Sequence, residues 1–221
     1  MRLDRFDIIN EEFTAMAVTP TQLDALLADG WRHFGTHFFR YNFGIYEDRI
    51  ERVIPLRIRL NELTASKSQR RTLRRNADLE VRFGRPVIDA EIHELFARHK
   101  LRFASGVPDN IYDFLSRDTS PTEVQQISVL DAGRVVAASF LDVGETAVSS
   151  IYGIFEPQES TRGLGIFTML KEIEFARDKG KTLYYHGYAY EGESYYDYKK
   201  RFNSLEAYDW HGRWYPFGKN D

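Results

Sequence analysis

The chain has 221 residues, room for one large domain or two small ones sharing a core, and its 43% hydrophobic and 29% charged residues describe a folded globular protein rather than a disordered one. Cysteine is absent, which excludes disulfides, Cys-ligated zinc, iron–sulfur clusters and a thiol nucleophile. The net charge of −3 hides an asymmetry: residues 64–85 hold Lys67, Arg70, Arg71, Arg74, Arg75, Arg82 and Arg85 against Asp78 and Glu80, a local +5 that leaves −8 on the rest.

The N-terminal stretch from Met1 to Phe13 lacks the apolar run of a signal peptide, and no window approaches about 18 apolar residues, so no membrane partner is expected and the cytoplasm is the default. The first part of the chain reads as helical and irregular. Thr19-Pro20-Thr21 opens a short helix with Leu23, Leu26 and Leu27 inward and Gly30 just past its end. The β-formers of residues 53–60 predict a strand.

Ser66-Lys67-Ser68-Gln69 has the spacing of a capping box, which predicts a helix from Lys67 to Asn76. At about 100° per residue, Lys67, Arg70, Arg71, Arg74 and Arg75 fall within an arc of roughly 140°, with Leu73 the one clearly apolar residue. Five clustered cations call for an anionic neighbour. A nucleic-acid phosphate backbone supplies one, and acidic residues elsewhere on the chain supply another. Further on, Asp89 caps a helix with Ile92, Leu95, Phe96 and His99 inward, residues 106–109 read as a loop and 111–116 as a short helix.

The second half is more regular. Residues 126–130, the turn Asp131-Ala132-Gly133-Arg134 and residues 135–143 read as a hairpin, and Gly144-Glu145 turns into a third strand over 147–155. A loop with Pro157 leads through Thr161-Arg162-Gly163-Leu164-Gly165 into a long helix, with Ile166, Phe167, Leu170, Ile173 and Ala176 buried and Gly180 as its stop. A strand over 183–188 can then lie parallel to the third. The order is that of a GNAT-type acyltransferase fold, α+β with a mixed, mainly antiparallel sheet and a crossover helix after a glycine turn, here preceded by a smaller helical N-terminal region.

A helix N-terminus offers free N–H groups and the positive end of its dipole. Arg162, Gly163, Leu164 and Gly165 therefore read as a site for a pyrophosphate or nucleotide phosphate, or as an ordinary strand-to-helix turn. Tyr184, Tyr185, Tyr188, Tyr190, Tyr195, Tyr196, Tyr198 and Tyr208 crowd into 25 residues, the composition of a core with satisfied hydroxyls or of a wet pocket. Tyr195, Tyr198 and Phe202 share helical spacing beside Lys199, and His186 lies mid-strand as a candidate base or a core histidine. His93-Glu94 lacks a second histidine four residues on, and His33 and His37 straddle Gly35, so no metal site is expected.

Gly30-Trp31-Arg32, Pro55-Leu56-Arg57-Ile58, Ser66-Lys67-Ser68-Gln69-Arg70-Arg71 with Asn76 and Asp78-Leu79 resemble the arginyl-tRNA–protein and leucyl-tRNA–protein transferase family. Gly163-Leu164-Gly165 with Leu170, Glu172 and Ile173, then Gly187-Tyr188, Asp197-Tyr198-Lys199, Phe202 and Glu206, extend the resemblance over roughly residues 25–210. It implies a GNAT-like enzyme that moves an aminoacyl group from tRNA to an α-amine, usually a protein N-terminus. On that resemblance Arg70, Arg71 and Arg162 fall at tRNA or phosphate contacts. Tyr198, Glu206 and His186 become candidate catalytic groups, and Arg162, Gly163, Leu164, Gly165, Tyr188, Asp197 and Lys199 candidate substrate contacts. Three departures stand out: no cysteine cluster between Arg40 and Arg57, His186-Gly187-Tyr188-Ala189 for the family's Leu-Gly-Tyr-Trp, and Ser204 where proline is expected.

These readings set the expectations. Residues 1–85 form a family-specific region carrying the basic helix, residues 86–221 the transferase core, and the two pack as one unit. Lys67, Arg70, Arg71, Arg74 and Arg75 contact tRNA. The acceptor is a peptide or protein N-terminus, with no DNA partner. Aminoacyl-tRNA is itself an activated ester, so no cofactor is needed; a GNAT enzyme using acetyl-CoA or another acyl-CoA is the alternative, and an inactive RNA- or protein-binding member the third reading.

Overall fold

The computed structural model describes residues 7–103 and 107–218; the first six residues of the N-terminal stretch and Gly106 of the expected loop lie outside the described residues. In chain order the elements are β1 (Asn10–Thr14), α1 (Pro20–Ala28), β2 (Arg32–Phe34), β3 (His37–Tyr41), β4 (Phe43–Tyr46), β5 (Arg49–Arg59), α2 (Lys67–Arg75), β6 (Glu80–Gly84), α3 (Ala90–Lys100), β7 (Val124–Asp131), β8 (Arg134–Val143), β9 (Ala147–Phe155), α4 (Leu164–Asp178), β10 (Leu183–Tyr190), β11 (Leu205–Tyr208) and β12 (Trp214–Pro216). Short 3-10 segments cover Ile111–Asp113, Pro157–Arg162 and Tyr195–Arg201.

A nine-stranded sheet runs β12-β11-β5-β10-β9-β8-β7-β6, with β4 paired to β5, and a small sheet runs β1-β3-β2. The β7–β8 hairpin forms where expected: Ala132 and Gly133 both take positive φ, which matches the turn to the strands' twist. The pairing of β10 with β9 is parallel, which the crossover through α4 permits. Because β5 sits between β10 and β11, the region before residue 85 supplies an interior strand of the main sheet.

The helical N-terminal region is a correction. Residues 7–85 hold α1 and α2 but six strands, β1 to β6. All but β5 are three to five residues long, too brief for an alternation to register. The β4–β5 turn uses Glu47 and Asp48, both at positive φ, rather than the Asn-Gly or Asp-Gly that signals such a turn.

The main core lies between α4 and the sheet, where Leu170, Ile173 and Ala176 meet Leu56, Ile58, Val148 and Tyr184. Ile166, expected inward, packs at the rim, half-buried. On the opposite face α1 buries Leu23 and Leu27 against Ala147 and Tyr185. Capping boxes at Thr19 and Ser66 start α1 and α2, each worth about 1 kcal/mol. Leu73 of the basic helix packs against two core clusters, and Gln69 and Asn76 are buried, so α2 covers the core on one side and presents cations on the other.

Candidate acyl-transfer site

Parallel pairing between β9 and β10 lasts for three residues, Ala147–Ser149 against Leu183–Tyr185, and then the strands part. A bulge falls at the separation in each. In β9, Phe140 faces Tyr152 and Leu141 faces Ser150, so Ile151 is the extra residue. In β10, Tyr185 faces Arg57 and Gly187 faces Leu56, so His186 is extra. Each bulge bends its strand, and together they open a split in the middle of the sheet.

Two cations fill the base of this split. Arg32, on β2, donates to Ser149 Oγ at 2.5 Å and to the Ser150 carbonyl, a backbone acceptor at the point where β9 leaves β10. Lys199, from the Tyr195–Arg201 segment, donates from Nζ to the Tyr188 carbonyl at 2.9 Å. Gly187, at φ +94, lies beneath both: a Cβ there would stand 3.1 Å from Lys199 Nζ and 3.8 Å from Arg32 Nη2. Glycine is required twice, for the backbone angle and for the space. Burial, with the Arg32 charge beside it, pulls the Lys199 ammonium down to about 7.

Behind the cations sits Glu172, in the middle of α4 and fully buried, accepting a 2.5 Å hydrogen bond from the Tyr184 hydroxyl. Desolvation pushes its carboxyl up to about 7, against the Tyr184 hydrogen bond, which favours the charged form. Tyr198 packs at the edge of the core, where burial raises its phenol to about 12 and keeps it protonated near neutrality. Tyr196, Glu172, Arg102 and Tyr152 lie near enough to act on it electrostatically, and its ring meets Tyr195 edge-on at 6.4 Å. Arg102 lies over the Phe155 ring at 4.4 Å and over Tyr195 at 5.5 Å, while Tyr152 stacks on Phe114 at 3.7 Å with its hydroxyl buried and unpartnered.

The glycine turn stands at the far end of β9, beside the open end of the split. Gly163 is left-handed at φ +68, Leu164 is buried, and a Cβ on Gly165 would lie 3.0 Å from the Phe155 ring. Helix α2 abuts this turn. Asn76 Nδ2 donates to the Arg162 carbonyl at 2.9 Å, and Arg75 donates to the Thr161 carbonyl. All five cations of α2 are exposed; Arg70 donates to the Ala65 carbonyl, and Lys67, Arg71 and Arg74 make no hydrogen bond or ion pair among the described residues.

Several expected site residues have other duties. Arg162 is clamped by Asp78 through two 3.0 Å bonds, so it ties the glycine turn to the end of α2 instead of presenting a free guanidinium. Glu206 does not join Tyr198. It lies on β11, one strand beyond β5, with Arg57 Nε 2.6 Å away, and Arg57 itself stacks 4.2 Å over Trp214 on the α1 face. An ion-paired carboxylate there is a poor general base. His186 is buried and held down to about 3 by desolvation and the nearby Lys199 charge, so it stays neutral and is too weakly basic for proton abstraction; its Nε2 meets the Lys199 carbonyl at 3.1 Å. Asp197 pairs with Lys200 at 2.8 Å, and the Tyr188 hydroxyl donates to the Gly30 carbonyl at 2.6 Å.

Sequence reasoning left Arg32, Glu172 and Tyr184 without a role. A glutamate on the apolar side of α4 was the available signal, since an unpaired buried carboxylate is costly without function or partner. Among the described residues no three His, Asp or Glu side chains gather in a metal-binding group, and no helix is long and apolar enough to cross a membrane.

Comparison with known proteins agrees with this architecture. FemX, a solved structure 14% identical in sequence, superposes with a TM-score of 0.50 over 86% of this chain and 67% of its own, a likeness of fold alone. The aspartate/glutamate leucyltransferase of Stenotrophomonas maltophilia (strain K279a) is 34% identical over 174 residues, 74% of this chain and 69% of that protein. That of Xanthomonas campestris pv. campestris (strain B100) is 34% identical over 178 residues, 72% of this chain and 68% of that protein. Residues 91–209 match the family described as arginine-tRNA-protein transferase, C terminus. A split sheet with a glycine turn and a crossover helix, matched in sequence over these spans, makes the chain a member of the arginine-tRNA-protein transferase family and an aminoacyltransferase.

Proposed function

We propose that the protein takes a leucyl group from leucyl-tRNA and joins it to the α-amine of a protein or peptide beginning with aspartate or glutamate. The amino acid and the acceptor follow the names of the two relatives above. The observation that carries the tRNA donor is the placement of α2: its exposed cations adjoin the glycine turn, which adjoins the open end of the β9–β10 split. Phosphates of the acceptor arm bound on α2 bring the 3′ end of the tRNA to the split, with the free N–H groups of Leu164 and Gly165 at the start of α4 available to its terminal phosphates.

The chemistry asks little of the protein. The neutral α-amine attacks the ester carbonyl, a tetrahedral oxyanion forms, the bond to the ribose oxygen breaks, and the amine proton leaves as the ribose oxygen gains one. Tyr198, protonated near neutrality and next in sequence to Lys199 of the split, is the donor to the developing oxyanion or to the leaving oxygen. Lys67, Arg70, Arg71, Arg74 and Arg75 hold the donor. No acyl-enzyme is required, in keeping with a chain that lacks cysteine.

The test is transfer itself. With leucyl-tRNA and a peptide starting in aspartate, mass spectrometry should show a peptide heavier by one leucyl residue at its α-amine. Absence of product with leucyl-tRNA, together with product from another charged tRNA, would reassign the amino acid.

A further inference from the structure

Arg32 and Lys199 are two cations in one gap of the sheet, and neither is ion-paired among the described residues. Asp142, the acid whose charge acts most on Arg32, is already held by His33 Nε2 at 2.9 Å and Thr122 Oγ1 at 2.6 Å. Glu172 is bonded to Tyr184. A recessed guanidinium beside an amine that readily gives up its proton is a place that an incoming anion stabilises, holding Lys199 in its charged form, and the protein keeps Gly187 against the pair, where any side chain would fill the space. We propose that Arg32 and Lys199 form the subsite for the side-chain carboxylate of the acceptor's first residue, and so determine its specificity. The proposal rests on the reading above that the acceptor amine attacks within the split.

The geometry favours this anion over the donor's phosphates. Phosphate charge is met by α2 and the start of α4, outside the sheet, whereas the two cations lie inside it at the point where the strands part. An amine attacking there brings its own first side chain along, with the carboxyl carbon three bonds away in aspartate and four in glutamate, so that carboxylate is the anion closest to the pair. Lys199 spends one of its three N–H donors on the Tyr188 carbonyl and keeps two. Arg32, fixed by Ser149 and Ser150, adds charge at a set position without being free to follow the ligand. A site built around such donors rejects the amide analogue more strongly than a larger or smaller apolar pocket does.

The experiment measures kcat/KM for peptides that begin with Asp, Asn, Glu and Gln, in the wild-type protein and in Lys199→Met, with Lys199→Arg as the charge-keeping control and thermal melts to confirm folding. The wild type should prefer Asp over Asn by about 100-fold. Lys199→Met should compress that ratio to below about 5-fold, mainly through KM, and Lys199→Arg should restore most of it. Should Lys199→Met not fold, Lys199→Gln takes its place. An unchanged Asp-to-Asn ratio with equal losses for all four peptides would overturn the proposal and make Lys199 a stabiliser of the oxyanion. Wild-type transfer without preference would also overturn it while leaving the proposed function standing. No transfer to any peptide would remove that function and the subsite with it.

Discussion

Glu172 shows how depth sets chemistry at a single residue. Its carboxyl sits near 7 in the folded protein against an ordinary value of 4.5, so between those pH values the folded state holds a proton that the unfolded state has released. Its contribution to stability is therefore fully present below about pH 4.5 and is lost as pH rises through about 7. His186, held down to about 3, gives the opposite slope between that value and 6.5, so the two are separated only by comparison with a variant. Glu172→Gln should gain on the wild type from pH 4.5 to 7, by on the order of 3 kcal/mol, and hold that gain above pH 7. Urea midpoints of both proteins at pH 5 and pH 8 read this directly; a constant gap would mean that Glu172 titrates as an exposed carboxyl does. Tyr198 gives a second residue-scale test. Tyr198→Phe keeps the ring in the core and removes only the hydroxyl, so kcat should fall by about 10²–10³ with the melting temperature nearly unchanged. Wild-type turnover in that variant would reduce Tyr198 to packing.

The elements divide by whether their signal is local. Helix α2 was legible in outline because a capping box and a 3.6-residue arc of cations are properties of adjacent residues. Its inner side was not, since Leu73 packs against clusters that include α4 and Asn76 reaches the Arg162 carbonyl at the glycine turn, contacts distant in sequence. The hairpin of β7 and β8, strand β9, α4 and β10 were legible for the same local reasons. Strands β1 to β4 were missed because three to five residues carry too little periodicity to separate them from loop. The bulges at Ile151 and His186 are properties of pairing, invisible in either strand alone, yet they open the site. The charges of α2 make their own prediction. Arg70→Gln with Arg74→Gln should weaken tRNA binding and flatten its salt dependence by roughly one for each phosphate no longer neutralised. Unchanged affinity and slope in that double variant would make α2 a solvated surface.

At the scale of the molecule, an acidic protein concentrates its positive charge where the donor would arrive. The local +5 of residues 64–85 stands on α2 and its neighbours, and the −8 of the remainder is spread over the rest of the chain. Chain order concealed how the split is assembled: Arg32 comes from the first small sheet, Lys199 from the segment after β10, and the two meet over Gly187, 155 and 12 positions away in sequence. The resemblance in sequence pointed to the reaction; Tyr198 packs against the main core, while Lys199, its neighbour in sequence, reaches the Tyr188 carbonyl in the split. Glu206 faces the α1 side of the sheet because its register pairs it with Arg57, which pairs with Tyr185 on that face, and β5, from the N-terminal region, separates β11 from β10. The claim on which everything else depends is that this split serves a tRNA-borne ester. It is tested most directly by offering one Asp-initiated peptide to the purified protein with leucyl-tRNA, with leucyl-tRNA pretreated with ribonuclease, and with acetyl-CoA. The account predicts a leucylated peptide in the first reaction alone; an acetylated peptide in the third, with no product in the first, would contradict it.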